Sequence, residues 1–153
     1  MLYFFERSID MEFEIGEKLE LEIVDINSEG MGVGKYDGFT FFVEGATIGD
    51  RVLCEIIKLK KNFGIGKAVD IIKESPYRLA SKCEYFGQCG GCELHNLRYD
   101  KQLELKTNLV KNNLERIGNV KNVLVKDTIG MDYPYRYRNK GEFKVGKNYQ
   151  IGY

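Results

Sequence analysis

No run of apolar residues in this chain approaches the ~18–20 needed to cross a bilayer, so no membrane span is written in it. Net charge is missing too: 23 Lys and Arg balance 23 Asp and Glu. That balance excludes a chain that coats nucleic acid by bulk positive charge alone. The opening MLYFFERSID has a short apolar patch and no basic flank, so it does not read as a secretory signal. Without one, the expected location is the cytoplasm, where thiols stay reduced. Tryptophan is absent and histidine occurs once, at His95, so the aromatic chemistry rests on 10 Tyr and 9 Phe. No glycine-rich dinucleotide-type loop follows a strand pattern to open a helix.

What is present suffices for one ordinary domain or two small ones: 153 residues, 43% of them hydrophobic. The charge is unevenly spread. Residues 1–75 hold 9 Lys/Arg against 15 Asp/Glu, a net of −6, and residues 76–153 hold 14 against 8, a net of +6. The split points to two modules, the second preferring an anionic partner.

From Lys18 to Ile72 the pattern is β. KLELEIVDI alternates, with Leu19, Leu21 and Ile23 on one side, and FTFFV and RVLCEII are rich in β-branched and aromatic residues. Asp37-Gly38 between GVGKY and FTFFV is a strong hairpin signal. A final strand is expected near FGIGKAVDII. About five short strands suit a small barrel of the OB or SH3-like kind. The run Gly30-Met31-Gly32-Val33-Gly34 superficially suggests a phosphate loop, but it lies between strands with no helix after it, so curvature is the better reason for its glycines.

The pattern breaks at Ser75-Pro76. We therefore divide the chain into an N-terminal extension (1–11, Met11 opening a more conventional start), a barrel (12–75), a cysteine loop (76–95), and a helix leading into the beginning of a second, antiparallel β domain (96–153). Tyr99, Leu103, Val110, Leu114 and Ile117 recur at helical steps, with Gly118 as a stop and Lys101, Lys106, Lys111 and Arg116 on the other, solvated face. NVLVKDTIG, YRYRNKGEF and NYQIGY read as further strands. The sheet pattern breaks off at Tyr153, so more polypeptide is expected beyond it. The fold class is mostly β with one helix.

Three of the four cysteines fall within ten positions, as C-x5-C-x2-C: Cys83, Cys89 and Cys92. In a cytosolic chain such spacing favours metal binding over disulfides. Zinc and iron–sulfur clusters both take thiolates, normally with four ligands in all. Three candidates exist for the fourth: His95, Cys54, or a cysteine beyond Tyr153. Cys54 alternates with Val52 and Ile56 and is expected to point into the barrel core. Spacing alone does not choose between the metals.

The stretch CEYFGQCGGCELHNLRYDKQLELK resembles the cluster loop and following helix of the RNA (uracil-C5)-methyltransferases, with His95, Tyr99, Gln102-Leu103 and Lys106 at the family's positions. Where the family usually has Gln-His, this chain has Leu94-His95. GEKLELEIVDINSEGMGVGKYDGFTFFVEGATIGDRV resembles the TRAM domain, a small RNA-binding β-barrel, and YRYRNKGEF resembles the opening of the family's central β domain. The resemblance implies a 4Fe–4S cluster held by Cys83, Cys89 and Cys92 with a fourth cysteine outside this chain, leaving His95 a structural role. It implies an S-adenosylmethionine-dependent uracil-C5 methyltransferase, rRNA (23S-type) favoured over tRNA. The methyl-donor domain, nucleophilic cysteine and base would lie in a C-terminal domain, so this piece alone would be inactive. A monomer is expected. The alternative is a free-standing RNA-binding adaptor with a zinc site of Cys83, Cys89, Cys92 and His95.

Single-stranded RNA needs cations for phosphates and aromatic faces for bases. KLKKNFG offers Lys58, Lys60, Lys61 and Phe63 together, against the plainer reading of a solvated hairpin tip. In YRYRNK, Arg136, Arg138 and Lys140 alternate with Tyr135, Tyr137 and Asn139. On a strand this sets cations on one face and rings on the other. The plainer reading is a charged edge strand.

Overall fold

The structure, a computed structural model, describes residues 13–152. The expected extension over residues 1–11 lies outside them. Five strands, β1 (Lys18–Ile26), β2 (Gly32–Tyr36), β3 (Phe39–Glu44), β4 (Arg51–Leu59) and β5 (Phe63–Lys73), close into a barrel in the order β1-β2-β3-β5-β4. Neighbouring strands are antiparallel except for β3 and β5, which run parallel with Phe42 opposite Ile65. Antiparallel pairing of β1 with β4, Leu19 opposite Cys54, completes the ring. The chain is therefore mostly β with a closed five-stranded barrel of OB-like strand order.

Alternation along the strands decides what fills the interior. Leu19, Leu21 and Ile23 of β1 are buried while Glu20 and Glu22 between them are exposed. Phe41, Val43, Val52, Cys54 and Ile56 are all 0% exposed. Each such apolar side chain contributes about 1.5–3 kcal/mol relative to leaving it in water. Phe13 closes one end, its ring 5.2 Å from those of Phe39 and Phe41. The Asp37-Gly38 turn joins β2 to β3 with both residues at positive φ, 46° and 88°. This is the mirror-image turn whose twist matches that of the flanking strands, and glycine takes its second position without strain.

After the barrel, order comes from fewer contacts. Helix α1 spans Tyr99–Asn112 and continues through a π turn, Asn113–Ile117, to Gly118. None of its residues is buried. The expected apolar face is only partly covered: Tyr99, Leu103 and Leu114 are half-buried, whereas Val110 and Ile117 are 50% and 78% exposed. The lysine face is not uniformly solvated either. The Lys101 ammonium lies 4.5 Å from the Tyr77 ring centroid and pairs with Glu104 at 2.6 Å.

Residues 118–143 contain no strand, although NVLVKDTIG and YRYRNKGEF read as strands. A strand needs a partner edge, and here the backbone bonds elsewhere. The N–H of Thr128 donates to Thr107 Oγ1 at 2.9 Å, and that of Met131 to the Tyr99 hydroxyl at 2.9 Å. Positive φ values at Asn119, Asn122 and Arg136 also interrupt any extended run. Only a two-residue hairpin forms further on, β6 (Lys144–Val145) with β7 (Ile151–Gly152).

Gly66 tests the barrel packing. A Cβ there would collide with Cys54 Sγ and stand 2.9 Å from the Glu55 carbonyl oxygen. Gly66→Ala is expected to lower stability by about 1–3 kcal/mol in chemical denaturation. Adding Cys54→Ala should return part of that loss; no recovery would mean that the clash is with the backbone alone.

Candidate functional site

The cysteine loop is positioned by a buried carboxylate at the end of the barrel. Asp50 is 0% exposed. Its Oδ2 accepts from the Thr47 N–H at 2.8 Å, and its Oδ1 from the Ser75 N–H at 2.8 Å. The Arg78 guanidinium adds a fork, Nε to Oδ1 at 3.2 Å and Nη2 to Oδ2. Such two-pronged pairing is strong and directional. Arg78 Nη2 also reaches the Gly45 carbonyl at 3.4 Å. The chain leaving β5 is thereby tied to the turn that precedes β4.

Just past that anchor the loop is pinched shut. The Leu79 N–H donates to the Asn96 carbonyl at 2.7 Å, and the Arg98 N–H to that of Tyr77 at 2.9 Å. Leu97, between them, is the one buried apolar side chain found outside the barrel cluster among the described residues. From α1, the Gln102 amide nitrogen donates to the carbonyls of Leu94 (3.0 Å) and Leu97 (2.8 Å). Opposite, Gly30 in the β1–β2 turn lies so close to Glu93 that an added Cβ would stand 2.6 Å from the Glu93 Cβ. The loop is thus clamped by the barrel on one side and the helix on the other.

Inside the loop, Cys83 and Cys92 are exposed, Cys89 is half-buried, and none is in a disulfide. Ser81 Oγ lies 2.6 Å from His95 Nδ1 and accepts from the Cys83 N–H at 3.1 Å. The His95 ring lies between those of Phe86 (5.9 Å) and Tyr135 (5.8 Å). Cys54 is not a candidate ligand: it sits in the barrel core, and burial pushes its thiol pKa up to about 11. The donors suit a thiolate-bound metal group in kind, being three unpaired and accessible sulfurs. In arrangement they fall short of one, because among the described residues no three of His, Cys, Asp and Glu converge to hold a metal ion.

Beside the loop, α1 and residues 131–138 enclose a cleft of about 730 Å³. The expectation that cations and rings in YRYRNK face opposite ways fails here. Arg136 sits at φ 56°, so strand alternation is broken, and Tyr135, Arg136, Tyr137 and Arg138 all line the same cleft. Arg138 donates to the Gly91 carbonyl at 3.3 Å. Lys140 stands apart, exposed and paired with Glu142 at 2.5 Å. Lys106 from α1 and Cys92 and His95 from the loop complete the walls. Lys106 is exposed, as its place on the lysine face implies, and still borders this cleft, whereas nothing in the sequence marks Lys82, 4.7 Å over the Tyr135 ring.

Lys58, Lys60 and Lys61 lie at the β4–β5 hairpin, all exposed, and form no ion pair among the described residues. Phe63 is half-buried and packs at 5.3 Å on Phe42, so the tip carries cations while its ring belongs partly to the barrel wall. The hairpin and the cleft share none of these residues.

Comparison with known proteins finds the TRAM domain model over residues 12–69. The chain is similar to an uncharacterized RNA methyltransferase of Caldanaerobacter subterraneus subsp. tengcongensis, 48% identical over 134 residues, or 88% of this chain and 29% of that protein. It is similar to another from Halalkalibacterium halodurans, 43% identical over 129 residues (84% and 28%), and to one from Listeria monocytogenes, 44% over 130 residues (85% and 28%). The chain spans less than a third of the length of these relatives.

The thiols should separate by reactivity. In metal-free native protein, Cys83, Cys89 and Cys92 are expected to alkylate readily and Cys54 only on unfolding, as read by mass spectrometry. Folding raises the Cys54 pKa from 9.0 to about 11, so the stability carried by its protonated thiol is complete below 9.0 and is lost as pH climbs towards 11. Wild type should lose more stability over that interval than Cys54→Val, and equal losses would contradict the assignment.

Proposed function

We propose that the chain belongs to the RNA methyltransferases that carry an N-terminal TRAM domain, and that it is the RNA-recognising part of an S-adenosylmethionine-dependent uracil-C5 methyltransferase acting on 23S-type rRNA in the cytoplasm; the TRAM match and the similarity to proteins named RNA methyltransferases support this reading. Methyl transfer itself is assigned to residues outside these 153, S-adenosylmethionine supplying the methyl group when bound there. Among the described residues no helix is long and apolar enough to cross a membrane. We take the protein to act as a monomer.

The observation that carries this reading is the β4–β5 hairpin: three exposed lysines without ion-pair partners, at the edge of a barrel matched by the TRAM model. Lys58, Lys60 and Lys61 would meet phosphates, with Phe63 offering a ring edge to a base. Arg136, Arg138 and Lys140 would add contacts from the second module. The acidic balance of residues 1–75 keeps the barrel from binding RNA indiscriminately, so the hairpin serves to guide.

For the thiols we propose a 4Fe–4S cluster held by Cys83, Cys89 and Cys92, with a fourth thiolate from outside these residues. It would supply folding energy to a loop that buries almost nothing of its own. His95 then keeps its bond to Ser81 and acts as packing. The domain division at 75/76 and 95/96 follows from the same reading.

Full-length protein is expected to transfer a methyl group from S-adenosylmethionine to C5 of uridine in rRNA. Prepared without oxygen, it should contain about four iron and four sulfide per chain, lost in Cys89→Ser. Stoichiometric zinc that disappears in His95→Ala would favour the adaptor instead. Replacing Lys60 and Lys61 with Ala should reduce the salt dependence of RNA affinity by about one unit per lost phosphate contact, and an unchanged slope would contradict the hairpin assignment.

A further inference from the structure

We infer that the cleft between α1, the cysteine loop and residues 134–138 is a nucleotide pocket that takes one unstacked base of single-stranded RNA together with its phosphate. The inference rests on the RNA-binding reading above and deepens it by naming a second, separate site. At about 730 Å³ the cleft has the volume of a small-ligand site. Its lining combines what a nucleotide requires. Lys106 and Arg136 form no ion pair among the described residues, and Arg138 stands at the same wall, against the single carboxylate of Glu93. Negative charge is thus favoured inside it.

Aromatic surface is present in two states. Tyr135 is already engaged, edge-on to His95 and under the Lys82 ammonium, and so forms a fixed wall. Tyr137 is 64% exposed and leaves its ring available for stacking. The left-handed backbone at Arg136 is what brings both rings and both arginines to one cleft. A non-glycine residue at φ 56° is unfavourable, and such outliers cluster where a site needs them. Stacking on a tyrosine is tolerant of base identity, so the pocket would hold and orient the strand without reading sequence. One wall is the segment Gly91–His95, which couples the pocket to the thiol loop: displacing that segment reshapes the pocket.

The test uses full-length protein and fluorescently labelled single-stranded oligouridine, with affinity measured across a salt series. Tyr137→Ala is expected to weaken binding about tenfold, while Tyr137→Phe stays within about twofold of wild type. Lys106→Ala and Arg136→Ala should each flatten the salt dependence by about one unit. Photo-crosslinking with 5-iodouridine RNA should label the peptide containing Tyr135 and Tyr137, a readout that does not depend on a variant folding. If wild type binds, the Lys60→Ala and Lys61→Ala variants weaken it, and Tyr137→Ala binds normally with crosslinks elsewhere, the pocket is overturned and the RNA reading stands. If wild type binds no RNA, both fall.

Discussion

The carboxylate of Asp50 receives four hydrogen bonds, from the backbone of Thr47 and Ser75 and from two nitrogens of Arg78, which is about as many as its two oxygens can accept. Its own backbone is part of the barrel as well: the Ile23 N–H donates to the Asp50 carbonyl at 2.9 Å, and the Gly49 N–H to that of Ile23 at 2.7 Å. One residue therefore belongs to the β1 edge through its main chain and to the post-barrel segment through its side chain. A buried carboxylate left without these donors would cost several kcal/mol. That cost is what obliges Ser75 and Arg78 to stay in place. From them follow the pairing of 77–79 with 96–98, the closure of the cysteine loop and the start of α1.

The two halves of the chain reach order by different routes. The barrel is held by apolar burial, with a set of enclosed side chains contributed by β1, β3 and β4 and by Ala46 in the turn between the last two. Residues 76–152 bury one apolar side chain completely, Leu97, and otherwise depend on polar ties such as Gln102 to the loop carbonyls and Thr107 to Thr128. Polar ties of this kind give roughly 1 kcal/mol each. A segment so built has geometry without much stability, which is the situation a bound cluster or an RNA strand can exploit. The cleft lies in this half, on the side of the chain with the positive balance.

Much of the barrel was legible because burial on one face forces a period of two. Leu19, Leu21 and Ile23 point inward, Cys54 is enclosed with Val52 and Ile56, and Asp37-Gly38 makes the turn its composition demands. Helix α1 and its stop at Gly118 were legible from their own period. The YRYRNK stretch misled for a definite reason: alternation implies a strand only when an edge is available, and here Arg136 turns the chain instead. Asp50 could be read only as part of a Gly-Asp turn, because its partner Arg78 lies 28 positions on and no local period links them. The roles of Lys82 and Lys101 were hidden likewise, since a charged residue on a helix or loop looks solvated until tertiary structure sets a ring beside it, here Tyr135 and Tyr77.

The most direct measurement of the central claim is amide hydrogen exchange, residue by residue, in wild type and in Asp50→Asn. The asparagine keeps the shape but offers one carbonyl oxygen and a donor where two acceptors are needed. The account predicts that the Leu79 and Arg98 amides, which pin the neck of the cysteine loop, exchange faster by about tenfold or more, while the amides of Leu21 and Ile56 in the barrel stay protected. Unchanged exchange at Leu79 and Arg98, or equal loss throughout the barrel, would contradict the view that this carboxylate is what joins the two.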